Sequence, residues 1–349
     1  MKQRIDYLDI AKGIAFLLVI YCHSVAFSDI EGVNSQEIRF LRENGIWYFY
    51  FFIPTFFVVS GFFVNTKKPF VTFLWQNFKL LVLGAIGIRF LNSLIVNTVA
   101  LHPLGIIDYI RDTFILDNIL KFWGLWFLGA IFTARIIYFV IARVSKSEIV
   151  LAFLLFIVAI GGGILERCSL PNIIWYQQGM VLSLFIYIGT QLKKFDLTMR
   201  QLLILGGLYV VSFIVLQPLG LNTIDSFCSM YHTPDIYHLP LSIYMGILGT
   251  CLILGVSKAI GKCMALSFIG INSTVWYIVN GCTSFGIKVA RRCVSIDSWL
   301  DTAIYLVIVI SIVLIYSTLF TFLINQKFIR ILKGDTQDFK RIHIKNADK

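Results

Sequence analysis

The 349-residue chain is 58% hydrophobic and only 14% charged, with a mean hydropathy of +0.82. That balance excludes an ordinary soluble globular domain and points to an all-α polytopic membrane bundle, because stretches of about 20 apolar residues recur along nearly its whole length. The net charge of +11 follows the loops between those stretches, so it reads as a topology signal and nucleic acid is not an expected partner.

Ten spans are predicted, at residues 8–28, 46–65, 79–100, 121–142, 149–166, 172–192, 201–218, 236–257, 264–285 and 299–324. The first runs on into a polar, acidic loop without a small-residue cleavage site, so it is expected to be retained as a helix. It carries Lys12 and His23, eleven residues apart. At about 1.5 Å of rise and 100° of turn per residue, both fall on one helix face roughly 16 Å apart. Ionisable groups inside a span are costly and normally face a protein interior or a wet cavity, which makes them candidate sites. Imidazole takes and returns a proton near neutral pH, so His23 suits general-base work on a hydroxyl. Asp9 supplies an acidic neighbour to Lys12 on the same helix.

Further along, Ser60 lies in the second span, Arg89 in the third, and Trp126 and Arg135 in the fourth. A guanidinium within a span can hold a phosphate bidentately, pair with a carboxylate, or snorkel to the interface; the last is easiest for Arg135, near a span end. Ser60 can instead bond along its own helix, and Trp126 can serve as an interfacial anchor. Glycines at 84 and 87, 161–163, 206 and 207, and 246 and 249 are expected to let helices approach closely. The fifth and seventh spans are short and Gly-rich. The cysteines are scattered without zinc-ligand spacing, so no metal site is expected; Cys168, Cys228 and Cys293 fall in predicted outer loops. No linker or soluble domain interrupts the chain, which divides into a bundle at residues 1–325 and a basic tail at 326–349.

With both termini on the cytoplasmic side, 20 Lys and Arg fall on the inner side, counting Lys12 near the inner end of the first span, 8 fall on the outer, and Arg89 and Arg135 lie deeper within spans, as the positive-inside rule requires. The exception is Lys288, Arg291 and Arg292 on the predicted outer side, either a misplaced topology anchor or a cluster that attracts an anionic glycan or lipid phosphate.

The first-span segment, with Leu8, Asp9, Lys12, Gly13 and His23, resembles the first-helix signature of the membrane acyltransferase-3 family, which includes bacterial sugar and polysaccharide O-acetyltransferases. Pro54, Phe56, Phe57, Ser60 and Gly61 resemble that family's Pro-x-Phe-Phe-x-x-Ser-Gly segment. Leu125, Trp126, Phe127 and Leu128 resemble its Leu-Trp-Phe-Leu element, and the stretch from Phe268 to Asn280 its late Gly-x-x-Ser helix. Phe52 and Asn280 stand where many members carry histidine. The resemblance implies a bacterial cytoplasmic-membrane enzyme that transfers an acetyl or other short acyl group from acyl-coenzyme A, a donor substrate and not a resident cofactor, to an envelope sugar or lipid-linked glycan. Taken with the residue chemistry above, His23 and Asp9 are expected in catalysis, Lys12, Arg89 and Arg135 toward the donor, and Ser60, Trp126 and Asn280 toward the acceptor.

The competing reading is a transporter or flippase of a lipid-linked sugar, which also keeps buried cations along its path. Paired halves would mark one, and no second copy of the Lys12-to-His23 pattern occurs. A third reading is a membrane partner or sensor without catalysis, in which His23→Ala leaves the phenotype intact.

Overall fold

The computed structural model describes residues 5–30, 32, 33, 35–45, 50–99, 118, 121, 124–145, 147–168, 170–216 and 238–324, without the side chains of 29, 30 and 93–99. The tail at 326–349, the loop positions His102 and His232, and Cys228 lie outside the described residues.

Every regular element described is a helix. In chain order these are α1 (Asp6–Ile30), α2 (Gln36–Glu43), α3 (Phe52–Phe63), α4 (Phe70–Asn77), a π turn (Phe78–Leu83), α5 (Gly84–Val99) and α6 (Trp126–Val144). Then follow α7 (Glu148–Arg167), α8 (Tyr176–Phe195), α9 (Met199–Leu216), α10 (Leu239–Ile260), α11 (Met264–Val279), α12 (Cys282–Cys293) and α13 (Trp299–Ile324). In a bilayer only structures that satisfy their own backbone hydrogen bonds can cross, and an all-helical chain does so.

Eight stretches are long and apolar enough to span, while α3 and α11, the second and ninth predicted spans, form shorter apolar helices of 12 and 16 residues. The fifth and seventh, short in sequence, run to 20 and 18 residues. The third begins earlier than expected, because α4 continues through the π turn into α5 as one crossing from Phe70 to Asn92. The ninth is broken: α11 stops at Val279 and α12 restarts at Cys282, with Asn280 and Gly281 at the joint.

α1 is the central post. It packs against α2, α3, α10, α11, α12 and α13, and buried apolar residues such as Leu8, Ala11, Phe16, Val19 and Ile20 point in several directions from it. A helix apolar all round belongs inside other helices. The outer helices show the reverse, with Ile149, Phe153, Val211, Ile214, Ile315 and Phe322 exposed. An apolar exterior over an apolar interior is what a lipid-facing bundle requires.

Close crossings fix where α1 sits. A Cβ on Gly13 would lie 2.2 Å from the Leu266 carbonyl oxygen, and one on Gly270 would lie 1.9 Å from the Asp9 carbonyl oxygen. α1 and α11 are therefore in backbone contact, a spacing only glycine allows. Gly61 of α3 and Gly189 of α8 make the same arrangement, with Cβ positions 2.1 Å from the Ile186 oxygen and 2.0 Å from the Val58 oxygen. Of the glycines expected to pack, Gly206 and Gly249 abut Leu252 and Phe51, whereas Gly207 faces open space.

Candidate functional site

The two ends of the bundle differ in chemistry. At one end, Lys258 of α10 donates to the Leu197 carbonyl at 2.6 Å, approaches Asp196 at 3.7 Å and lies over the Tyr7 ring at the start of α1. Lys193 of α8 donates to the Phe62 carbonyl of α3 at 2.7 Å, Arg143 of α6 to the carbonyls of Thr66 and Lys68, and Lys194 pairs with Glu148 at the start of α7. Only the Phe62 carbonyl is one that a helix end leaves unsatisfied and partly negative; the other cations meet loop carbonyls or the carboxylates of Glu148 and Asp196. A cavity of about 380 Å³ opens among these residues, lined by Tyr138, Glu148, Thr190, Lys193 and Lys194.

Lys12 lies toward this end of α1. Its Nζ is 2.8 Å from Asp9 Oδ1, and the side chains are 22% and 13% exposed. The pair is partly exposed. Asp9 thus reaches Lys12, while His23 lies fourteen residues further on, about 21 Å along the axis.

The opposite end holds His23. Its imidazole is half-buried, stacks on Phe27 one turn later with ring centroids 4.9 Å apart, and meets the Asn280 side chain through Nδ1. Nε2 makes no hydrogen bond among the described residues. Asn280 reaches the ring because α11 runs parallel to α1: Gly270 meets Asp9 and Gly13, Trp276 meets Phe16, and Asn280 meets His23. Beneath the joint, the buried Thr283 hydroxyl donates to the Asn280 carbonyl at 2.8 Å and lies 3.2 Å from the Asn280 Oδ1 position. Thr283 was not visible as a site residue in the sequence; its spacing of three from Asn280, the reach of a hydroxyl back along a helix, is the only signal.

Tyr277, one turn before Asn280, accepts a hydrogen bond from the Phe127 backbone N–H at 3.3 Å. An otherwise unsatisfied amide in the first turn of α6 is thereby completed. The contact ties the Leu-Trp-Phe-Leu element, including the half-buried Trp126, to the His23 end.

Arg135 does not snorkel. Its guanidinium turns inward, donating from Nη1 to Ser60 Oγ at 3.3 Å and standing 6.0 Å from the centre of the Phe73 ring. Its buried Nε has no hydrogen-bond partner among the described residues. Ser60 therefore serves a neighbouring helix instead of its own. Arg89 is half-buried on α5, which packs on α11. Lys288 and Arg292 are exposed on α12 beyond Asn280, at the His23 end where the sequence put them. Cys168 and Cys293 are free thiols, and no group of three or more metal-ligating side chains occurs among the described residues.

The site is thus a set of separate polar groups in an apolar bundle, with an ion pair toward the cationic end, a buried guanidinium in a neighbouring helix pair, and a half-buried imidazole at the far end, Phe16 and Val19 lying buried between the ends of α1. No curated protein and no solved structure matches the chain. Residues 5–321 match the family described as an acyltransferase domain, and on that match over essentially the whole chain the protein belongs to the membrane acyltransferase-3 family.

Proposed function

We propose that the protein O-acylates a cell-envelope sugar or lipid-linked glycan with an acetyl or other short acyl group drawn from cytoplasmic acyl-coenzyme A, in the bacterial cytoplasmic membrane. The observation that carries this reading is the separation of roles along α1: a cation with its counter-ion near the end where Lys193, Lys194 and Lys258 gather, and a half-open imidazole near the other. The cationic end is the cytoplasmic one by the positive-inside rule. Coenzyme A is polyanionic with a long, thin arm, so its phosphates suit that end and its thioester suits the bundle interior. Lys12 receives phosphate charge, and Arg135, with an unsatisfied buried donor beside Ser60, offers a second point of attachment.

At the far end, His23 Nε2 takes the proton of the acceptor hydroxyl as its oxygen attacks the thioester carbonyl carbon. A carbon–oxygen bond forms, the carbon–sulfur bond breaks, and the imidazolium returns its proton to the leaving thiolate. The products are the ester and free coenzyme A, and the base is regenerated. Positioned general-base catalysis of this kind contributes about 10²–10⁴-fold.

The test is donor binding and thiol release by purified wild type and Lys12→Ala protein with acetyl-coenzyme A. The expected result is weaker donor binding in the variant with turnover at saturation little changed; equal binding in both removes Lys12 from the donor site.

A further inference from the structure

A histidine acts as a base only through the ring nitrogen that lacks a proton, and which nitrogen that is depends on what faces the other. For His23 the question turns on one amide. The Asn280 side chain sits with Nδ2 toward His23 Nδ1 and Oδ1 toward Thr283. In that placement the single Thr283 hydroxyl proton must serve both the Asn280 backbone carbonyl at 2.8 Å and Oδ1 at 3.2 Å. It also makes Nδ1 an acceptor, which puts the ring proton on Nε2, the nitrogen with no partner among the described residues.

The two ends of a primary amide have the same shape, so the surrounding hydrogen bonds decide its orientation. Turned by half a rotation, the Asn280 amide relieves the sharing of the Thr283 proton. Thr283 gives its proton to the backbone carbonyl, its lone pair accepts from Nδ2, and Oδ1 accepts a proton from His23 Nδ1. Nε2 is then left bare. Phe27, stacked nearly parallel to the ring at 8°, keeps the imidazole in the plane that makes this contact.

We propose that Asn280, locked by Thr283, is the positioning residue that holds His23 as the Nδ1–H tautomer and so leaves Nε2 free to act as the base. Asn280 thereby does for this imidazole what a carboxylate does elsewhere, without adding a charge to the membrane interior. Thr283 holds Asn280 from three residues on, its hydroxyl and its backbone N–H, at 3.0 Å, both donating to the Asn280 carbonyl, the back-bond that Ser and Thr also make within helices. The inference rests on the acyl-transfer reading for its consequence in turnover, but the tautomer itself is measurable without any substrate.

The experiment is nitrogen-15 magnetic resonance on ring-labelled histidine in nanodisc-embedded protein, with His23 identified by difference from His23→Gln. Wild type is expected to give a protonated Nδ1 and a bare Nε2; the reverse assignment overturns the proposal. Kinetics supply the second arm. Asn280→Asp, which retains an acceptor, is expected to keep kcat within several-fold, whereas Asn280→Leu and Thr283→Val lower it by at least about tenfold, with the KM for acetyl-coenzyme A within twofold. Folded Asn280→Leu protein with wild-type kcat overturns the positioning role. If the wild type transfers no acyl group, the acyl-transfer reading fails while the tautomer result stands on its own.

Discussion

Lys12 and His23 share α1, and the proposed function divides its chemistry between them. Removing the imidazole deletes the proton acceptor but no donor contact, so His23→Ala is expected to lower acyl transfer by at least about 10² while the donor dissociation constant changes less than threefold; isothermal titration with acetyl-coenzyme A beside a thiol-release assay separates the two. Lys12→Ala is expected to weaken donor binding by about tenfold or more, the worth of one charge-assisted hydrogen bond. Asp9 pairs with Lys12, so Asp9→Asn should move the donor KM and leave kcat nearly untouched. The shared face of Lys12 and His23 was legible because eleven residues of helix fix it. The partners of His23 were not, since Asn280 lies 257 positions away and no spacing within one helix announces a contact made across two.

Among elements, the short motifs turn out to be packing devices as much as chemistry. Gly13 and Gly270, each beside a polar motif residue, exist in this fold to bring the α1 and α11 backbones together, which is how Asn280 comes to His23. Gly270→Ala places a methyl group 1.9 Å from a carbonyl that cannot retreat, so a loss of about 3 kcal/mol or more is expected, at the top of the overpacking range. A matching fall in the temperature at which detergent-purified protein loses monodispersity would show it. Gly207→Ala, facing open space, should be silent in the same assay. All ten apolar stretches were legible as helices because hydropathy sees composition. Their lengths were less so: apolar residues run on past Asn280 and Gly281, so composition reads straight through the break, and the direction in which Arg135 turns depends on Ser60 and Phe73 from other helices.

For the whole molecule, charge and packing agree on an axis. Lys193, Lys194, Lys258 and Arg143 gather at the end where α1 begins, while His23, Asn280 and Trp126 mark the other. Reporter fusions after Lys194 and after Cys293 are expected to read cytoplasmic and extracytoplasmic respectively; the opposite pattern would reverse the proposed direction of transfer. Family membership makes the chain an acyltransferase; the side from which each substrate comes belongs to the proposed function and is what these fusions test.

The most direct test of that account is label transfer by purified protein in nanodiscs, wild type against His23→Ala, from radiolabelled acetyl-coenzyme A to a cell-envelope glycan extract. The account predicts labelled glycan and released thiol with wild type, and neither with the variant, although both bind donor. Wild-type protein that is folded yet binds no acetyl-coenzyme A, or a His23→Ala variant that labels glycan at the wild-type rate, would contradict it.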